Sequence, residues 1–282
     1  MEKIGIITDS ACDLRAGEYN PDLVKVIPLK IAFSDGEFKD GVTISAEETY
    51  HRMDVETPKT SLPDGSDMEN ALQYFKDNGF THVIAIFLAS SLSGTYNAFQ
   101  HFAEEFKDSL IIESVDSNSL SLAEGLLVQL AQKLIGEGKS FDFVTEQVIA
   151  KMKTINVYFV LDTLEYLIKG GRIGKVSGTI GQLLNIKPVI HIREDGVYHT
   201  ADKARGKRQS IVKMLAILKT KYLDRTPCNV HVVHGGSPIE GAELLETVKA
   251  MPGVKYAQLA QITPSLGVHT GKGLLGLIIE EI

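Results

Sequence analysis

Short apolar runs that alternate with helical segments constrain the fold of this chain more than any other feature of its sequence. In the first half, residues 4–8, 24–33, 82–88 and 110–115 are apolar runs that predict buried strands. Helical apolar spacing separates them, at residues 46–55, 67–79, 95–106 and 119–135. Strands joined through helices form βαβ units, so this half predicts a mainly parallel sheet flanked by helices, with ligand sites beyond the carboxyl ends of its strands.

The second half has a different pattern, which predicts a mixed sheet with helices. Asp195 and Gly196 separate two apolar runs, which is a strong hairpin signal and indicates an antiparallel pair. The predicted strands are 157–161, 187–192, 197–200, 230–233, 256–262 and 275–280, and the predicted helices are 163–168, 205–222 and 239–250. The sequence therefore predicts an α/β protein of two α/β domains, residues 1–154 and 155–282, with a cleft between them.

Composition and charge exclude several classes of protein. With 282 residues, 44% of them hydrophobic and 23% charged, the chain is an ordinary globular protein of about two domains. Its net charge of -7 argues against a nucleic-acid partner. No apolar run approaches the roughly 18 residues of a transmembrane segment, and the N-terminus reads as a strand instead of a signal peptide. Cys12 and Cys228 form no metal or disulfide motif, which favours the cytoplasm.

The densest group of candidate ligand-binding residues follows the third predicted strand. Ser90, Ser91 and Ser93 precede a helix predicted to begin at Thr95, where backbone N–H groups, hydroxyls and the helix dipole favour an anion such as a phosphate or carboxylate. Helix capping alone explains one serine but not three. A second polar segment contains Thr60 and Ser61, and for it a simple turn is an equally good interpretation.

A glycine-rich segment, residues 267–273, precedes the last strand and is predicted to form a bend that exposes His269. It lacks the spacing, the Ser or Thr after Lys272, and the following helix of a P-loop. The serines and histidines leave open a serine-dependent hydrolase of small esters, although the GxSxG nucleophile motif is missing. A binding protein for another acid or phosphate ligand is the other open alternative. No metal site is predicted.

Basic residues are concentrated at the start of the helix predicted from residue 205. Lys203, Arg205, Lys207 and Arg208 would place positive charge where the helix dipole opposes it, so a solvated face and a docking site for an acidic partner both remain possible. The segment from Gly170 to Lys175 is interpreted first as a helix stop and second as an anion loop. Asp9 and Asp116 follow strands and are interpreted as turn residues.

Taken together, six motifs in order resemble the DegV family of bacterial fatty-acid-binding proteins. They are Thr8-Asp9-Ser10 with Asp13-Leu14, Lys59-Thr60-Ser61, Ser91-Leu92-Ser93-Gly94-Thr95, Lys169-Gly170-Gly171-Arg172-Ile173, Ile186-Lys187-Pro188 and His269-Thr270-Gly271. Members of this family are the substrate-carrying subunits of fatty acid kinase. The sequence departs from the family at Leu62, where glutamine is usual, and at Asp64-Gly65.

The resemblance implies that a long-chain fatty acid lies in a tunnel between the two domains. Its carboxylate would be held by Thr60, Ser93 and His269, with Ser61 beside them. The chain would catalyse nothing alone and need no cofactor. An ATP-dependent kinase subunit, contacted through Arg205, would phosphorylate the carboxyl group to an acyl phosphate for phospholipid synthesis.

Affinity in such a site is expected to come from the acyl chain. Hydroxyls and a histidine hold an anion more weakly than a bidentate arginine does. Burial of each methylene contributes about 0.8 kcal/mol, so about 14 of them contribute on the order of 11 kcal/mol before costs. Net hydrogen bonds contribute only about 0.5 to 1.5 kcal/mol each.

Overall fold

The computed structural model describes residues 2–179 and 186–282. The N-terminal part contains β1 (Ile4–Asp9), β2 (Val24–Ile27), β3 (Lys30–Phe33), β4 (Gly36–Lys39), α1 (Ala46–Arg52), β5 (Lys59–Ser61), α2 (Gly65–Asp77), β6 (His82–Phe87), α3 (Thr95–Phe106), β7 (Ile111–Asp116), α4 (Leu122–Gly136) and α5 (Phe141–Met152). The C-terminal part contains β8 (Ile155–Val160), α6 (Glu165–Lys169), β9 (Ile186–Ile192), β10 (Tyr198–Arg205), α7 (Lys207–Ile217), β11 (Cys228–Gly235), α8 (Pro238–Lys249), β12 (Val254–Gln261), α9 (Pro264–Thr270) and β13 (Leu274–Glu281).

Two large sheets confirm the predicted α/β architecture. The first is parallel throughout, with strand order β2-β1-β6-β7. The second has the order β10-β9-β8-β13-β11-β12 and is mixed, because only β11 and β12 run parallel. The hairpin predicted at Asp195-Gly196 joins β9 to β10, and Gly196 adopts the left-handed backbone that the turn requires. A domain boundary at 154/155 stays a prediction, and β8 begins at Ile155.

The prediction of one strand over residues 24–33 is wrong. Pro28 has no N–H to donate to a sheet, and the next N–H, of Leu29, is bonded to the Ser10 hydroxyl at 3.0 Å. The segment therefore divides into β2 and β3. Strand β3 lies in a small antiparallel sheet of order β4-β3-β5 that the sequence analysis did not predict.

Two helical segments also differ from prediction. Helix α5 was missed, although Ser140 caps its N-terminus by accepting a hydrogen bond from the Phe143 N–H. The helix predicted from residue 205 begins only at Lys207, because Gly206 has a φ of 78° that no helix accommodates. Arg205 is consequently the last residue of β10 and does not lie in the first turn of a helix.

Apolar side chains form separate layers on each sheet. Helices α2 and α3 cover one face of the parallel sheet, and α4 and α5 cover the other. Helices α7 and α8 cover one face of the mixed sheet. The other face of the mixed sheet meets Leu88 and Leu122 of the N-terminal part. We call this shared layer the interdomain layer, and it contains the cavity described next.

Candidate ligand-binding site

A cavity of about 270 Å³ lies within the interdomain layer, and both halves of the chain line it. Its apolar wall consists of Leu29, Leu62, Leu88, Leu92, Leu120, Val157, Phe159, Val233, Ile262, Leu266, Leu274 and Ile278. Polar groups, among them those of Thr60, Ser61, Ser93, Arg172 and His269, also line it. An apolar cleft with a few convergent polar groups is the usual form of a small-molecule site. We call it the first cavity.

Ser93 reaches the first cavity from the turn between β6 and α3. Its hydroxyl lies 2.9 Å from the Thr95 hydroxyl and accepts a hydrogen bond from the Thr95 N–H at 3.3 Å. Ser91 has a different role, because its hydroxyl donates to the Gly196 carbonyl oxygen at 2.7 Å. The Ser90 N–H donates to Asp116 at 3.1 Å. Of the three serines, Ser93 is the one that lines the cavity.

Thr60 and His269 form a hydrogen bond that joins the two halves of the chain. The Thr60 Oγ1 atom lies 2.7 Å from His269 Nε2. Thr60 is held in place by β5, where it pairs with Ile31 of β3. His269 lies near the end of α9, whose Val268 packs against Ile31. The prediction of an exposed glycine-rich bend around His269 is wrong, because α9 is a short, largely buried helix that begins at Pro264.

The environment of His269 keeps its imidazole neutral near pH 7. Burial, and secondarily the positive charge of Arg172, lowers the pKa of His269 to about 4. The Nδ1 atom is buried and has no hydrogen-bond partner within residues 2–179 and 186–282. Gly170 packs so closely against it that a Cβ at this position would lie 2.2 Å from Nδ1. Positive charge at the site therefore comes from Arg172 instead of the histidine.

Arg172 also lines the cavity, although it was not predicted as a site residue. Its segment was interpreted first as a helix stop and second as an anion loop. Its guanidinium donates to the carbonyl oxygens of Leu92, at 3.1 Å, and Gly170, at 2.5 Å. An arginine side chain has five N–H donors, so donors remain for an anion in the cavity. The sequence signal for this residue was the pair Gly170-Gly171 directly before it, which ends α6. Gly171 has a φ of 72° and turns the chain there.

The structure thus brings together Thr60, Ser61, Ser93 and His269 around one cavity. Ser61 and Leu62 lie beside Thr60. The Leu62 side chain packs over Gly94, where an added Cβ would lie 3.5 Å from Leu62 Cδ2. Arg205 is exposed at the end of β10 and does not line this cavity. The arrangement can bind an anionic head group at one end and an apolar chain along the rest.

Fold and site define a two-domain α/β protein with an apolar interdomain cavity that is also lined by a group of polar side chains. The chain belongs to the DegV family: the family model described as "Uncharacterised protein, DegV family" matches residues 3–281. A DegV domain-containing protein of Clostridium acetobutylicum is 43% identical over 281 residues, which are 99% of each chain. Another, of Clostridium perfringens, is 38% identical, covering 100% of this chain and 99% of its own.

Solved structures of similar proteins share the whole fold. A DegV family protein from Thermus thermophilus, described by its fatty acid binding, has a TM-score of 0.90 and 28% identity, covering 99% of both chains. A stearic acid-binding protein from Eubacterium ventriosum has a TM-score of 0.88 and 27% identity, covering 99% of this chain and 98% of its own. The two-domain fold predicted from the sequence is therefore confirmed. Among the described residues, no helix is both long and apolar enough to cross a membrane.

Proposed function

We propose that this protein binds a long-chain fatty acid in the first cavity, with the carboxylate at Thr60, Ser61, Ser93, Arg172 and His269. The observation that carries the proposal is the division of one cavity into an apolar wall and a polar end. Fatty acid binding by similar proteins of the same fold supports it.

Arg172 changes the expected balance between head and tail. A charge-assisted hydrogen bond is roughly twice as strong as a neutral one, so the head group contributes more than hydroxyls and a neutral histidine alone would. The acyl chain still contributes most, at about 0.8 kcal/mol for each buried methylene. Arg172 therefore fixes the orientation of the ligand, and the apolar wall provides most of the affinity.

The finer part of the proposal is that the bound carboxyl group is presented to an ATP-dependent kinase subunit, which phosphorylates it to an acyl phosphate. Arg205 supports a docking role because it is exposed, lies outside the cavity and has no ion-pair partner among the residues described. Its neighbour Lys207 is already neutralised by Asp162 at 3.0 Å and Glu240 at 2.7 Å. This role belongs to the cytoplasm, where free cysteines such as the buried Cys12 and Cys228 persist.

A serine-dependent hydrolase is less well supported by the geometry. A catalytic histidine needs a hydroxyl nucleophile on one nitrogen and an orienting group on the other. His269 Nε2 contacts the Thr60 hydroxyl, not a serine, and Nδ1 has no orienting partner in the part of the chain described. The bond between Thr60 and His269 suits a binding site, because it orients both polar groups toward a ligand oxygen.

Mass spectrometry of an organic extract of the purified protein tests the proposed ligand directly. We expect a long-chain fatty acid in near-stoichiometric amount, and we expect its yield to fall when Arg172→Ala and Ser93→Ala are combined. An extract without fatty acid, together with serine-dependent turnover of an ester, would favour the hydrolase instead.

The docking role is tested by reconstitution with the kinase subunit and ATP. Arg205→Ala is expected to retain fatty acid but lose at least tenfold in the rate of acyl phosphate formation, and added salt should reproduce part of the loss. Arg225→Ala is the matched control, because Arg225 is also exposed but lies beyond α7 and the turn that follows it. Equal rates for both variants and the parent protein would exclude Arg205 from docking.

A further inference from the structure

A second cavity, of about 470 Å³, adjoins the first and is not used by the head-group site. It lies between helices α4 and α5 and strands β8 and β9. Its apolar wall includes Ala123, Leu127, Ile149, Ile155 and Ile192. The rest of its lining is polar and includes Glu194 as well as Lys153 and Arg193, neither of which forms an ion pair within the described ranges.

Val157 is the residue that the two cavities share. Alternate residues of a strand face the same side of a sheet, so Phe159, Val157 and Ile155 of β8 lie in one row. All three belong to the interdomain layer, whereas Tyr158 packs on the opposite face. Phe159 lines the first cavity and Ile155 lines the second. The row is thus a continuous apolar track from one cavity to the other.

Strand register gives the direction of this track. Strand β13 starts directly after α9, so Leu274 marks the end nearest His269, and Ile278 pairs with Val157. Four residues of strand advance about 13 Å. A carbon–carbon bond is about 1.5 Å and a zigzag chain advances less than that for each carbon, so this distance holds roughly ten carbons. A longer chain that runs beside β13 from Leu274 therefore reaches Val157.

We propose that the second cavity receives the distal end of acyl chains too long for the first, and that Val157 determines the chain length at which this begins. The inference rests on the proposed function and specifies its substrate class as acids whose chains extend beyond Val157. Ile155 comes two residues before Val157, at the start of β8, and extends the apolar row by about 7 Å. The charged residues of the lining, Lys153, Arg193 and Glu194, then limit the length, because methylenes gain nothing beside hydrated charges.

Binding of decanoic, dodecanoic, hexadecanoic and octadecanoic acids, measured by calorimetry after delipidation, tests the inference. Ile149→Trp fills the second cavity without touching the first, and Ile149 is 44% exposed, so the variant should fold. We expect affinity for decanoic and dodecanoic acids to stay within twofold and affinity for octadecanoic acid to fall at least tenfold. Val157→Phe should move the limit to shorter chains, whereas Val157→Ala should leave long chains bound.

The matched control is Ile111→Trp, which places the same side chain at a 58% exposed isoleucine of β7 that lines neither cavity. It should bind every acid as the parent protein does. The inference is overturned if Ile149→Trp weakens all chain lengths equally or leaves octadecanoic acid unaffected. A parent protein that binds no acid of any length would contradict the proposed function itself, which is a different result.

Discussion

Two groups of polar residues lie at opposite ends of α9, and they differ in the partners of their hydrogen bonds. At one end, His269, Thr60, Ser93 and Arg172 face a cavity. At the other end is a group that we call the carboxyl cluster, which consists of Asp9, Asp13, Asp40 and Glu124, all buried. Both groups contain the hydroxyl and acidic or basic residues that sequence motifs single out. Only the first group lines the first cavity, whereas Asp13 and Asp40 line a different cleft together with Ser10.

Hydrogen bonds from the protein occupy the carboxyl cluster. Asp40 accepts from the Ser10 hydroxyl at 2.6 Å, from the Ser265 N–H at 3.2 Å and from the Ser265 hydroxyl. Asp13 accepts from the Thr263 N–H at 2.7 Å and from the Ser121 hydroxyl. These bonds fasten α9 and the segment before it to the N-terminal part. Protein donors thus already occupy Asp13 and Asp40, although the Oε2 atom of Glu124 is buried without a partner among the described residues.

Burial shifts the pKa values of the two groups in opposite directions. Burial raises the pKa of Asp9 and of Asp13 to about 7, and it raises the pKa of Asp40 and Glu124 as well. No ion pair reaches these four carboxyl groups within residues 2–179 and 186–282. Burial lowers the pKa of His269 to about 4. In both groups, burial favours the uncharged form.

The largest effect is expected from removal of a carboxyl group of the carboxyl cluster. Asp40→Ala leaves the Ser10 hydroxyl and both Ser265 donors without their acceptor, and each buried unpaired group costs about 1 to 3 kcal/mol. We expect urea denaturation to show a loss of at least about 3 kcal/mol in the free energy of unfolding. Asp40→Asn keeps an acceptor and should lose less. If Ser93→Ala, in the other group, destabilises the fold as much as Asp40→Ala does, the comparison fails.

A smaller effect is expected from crowding the ligand-binding group. Gly170→Ala places a Cβ 2.2 Å from His269 Nδ1, so the imidazole must move and its bond with Thr60 must change. We expect fatty acid affinity to fall at least tenfold, which is about 1.4 kcal/mol. Gly136→Ala is the matched control, because a Cβ at this helical position has nothing within 4 Å. Calorimetry that finds equal affinities for both variants would contradict the proposed head-group geometry.

The pH dependence of stability sharpens the same contrast. Between pH 5 and 6, native Asp13 keeps a proton that the unfolded chain has lost, so Asp13 makes stability fall as pH rises. Native His269 lacks a proton that the unfolded chain binds, so it makes stability rise. Asp13→Asn should therefore increase the slope of unfolding free energy by about 1.4 kcal/mol per pH unit, and His269→Gln should decrease it by about the same amount.

Denaturant titrations at several values of pH measure both slopes. Asp224→Asn and His101→Gln make the same changes at exposed side chains and are the matched controls. Slope changes of the same sign for Asp13→Asn and His269→Gln would show that the two groups do not differ as described.

Much of the fold could be predicted from local sequence. The parallel sheet and the hairpin at Asp195-Gly196 follow from periodicity and turn chemistry, and α3 begins at Thr95 and ends at Phe106 as predicted. The division of residues 24–33 could not, because it depends on a hydrogen bond between Leu29 and Ser10, 19 positions away in the chain. Helix α5 could have been found, since Phe141, Val144 and Val148 have helical spacing after a capping serine.

The candidate site was predictable in part. Motifs and family resemblance indicated Thr60, Ser93 and His269, and the structure places all three at one cavity. Arg172 was missed because its glycine neighbours account for the local turn without any ligand. The sequence could not show that Ser93 lines the cavity while Ser10 and Ser91 do not. The Ser10 and Ser91 hydroxyls bond to Asp40 and Gly196, which are distant in the chain.

The bond between Thr60 and His269 has a consequence for the rate of ligand exchange. Its two atoms belong to residues 209 positions apart, one in β5 of the N-terminal part and one in α9 of the C-terminal part. An opening of the two halves at this point therefore breaks this hydrogen bond. If a fatty acid leaves by that opening, loss of the bond between Thr60 and His269 accompanies its release.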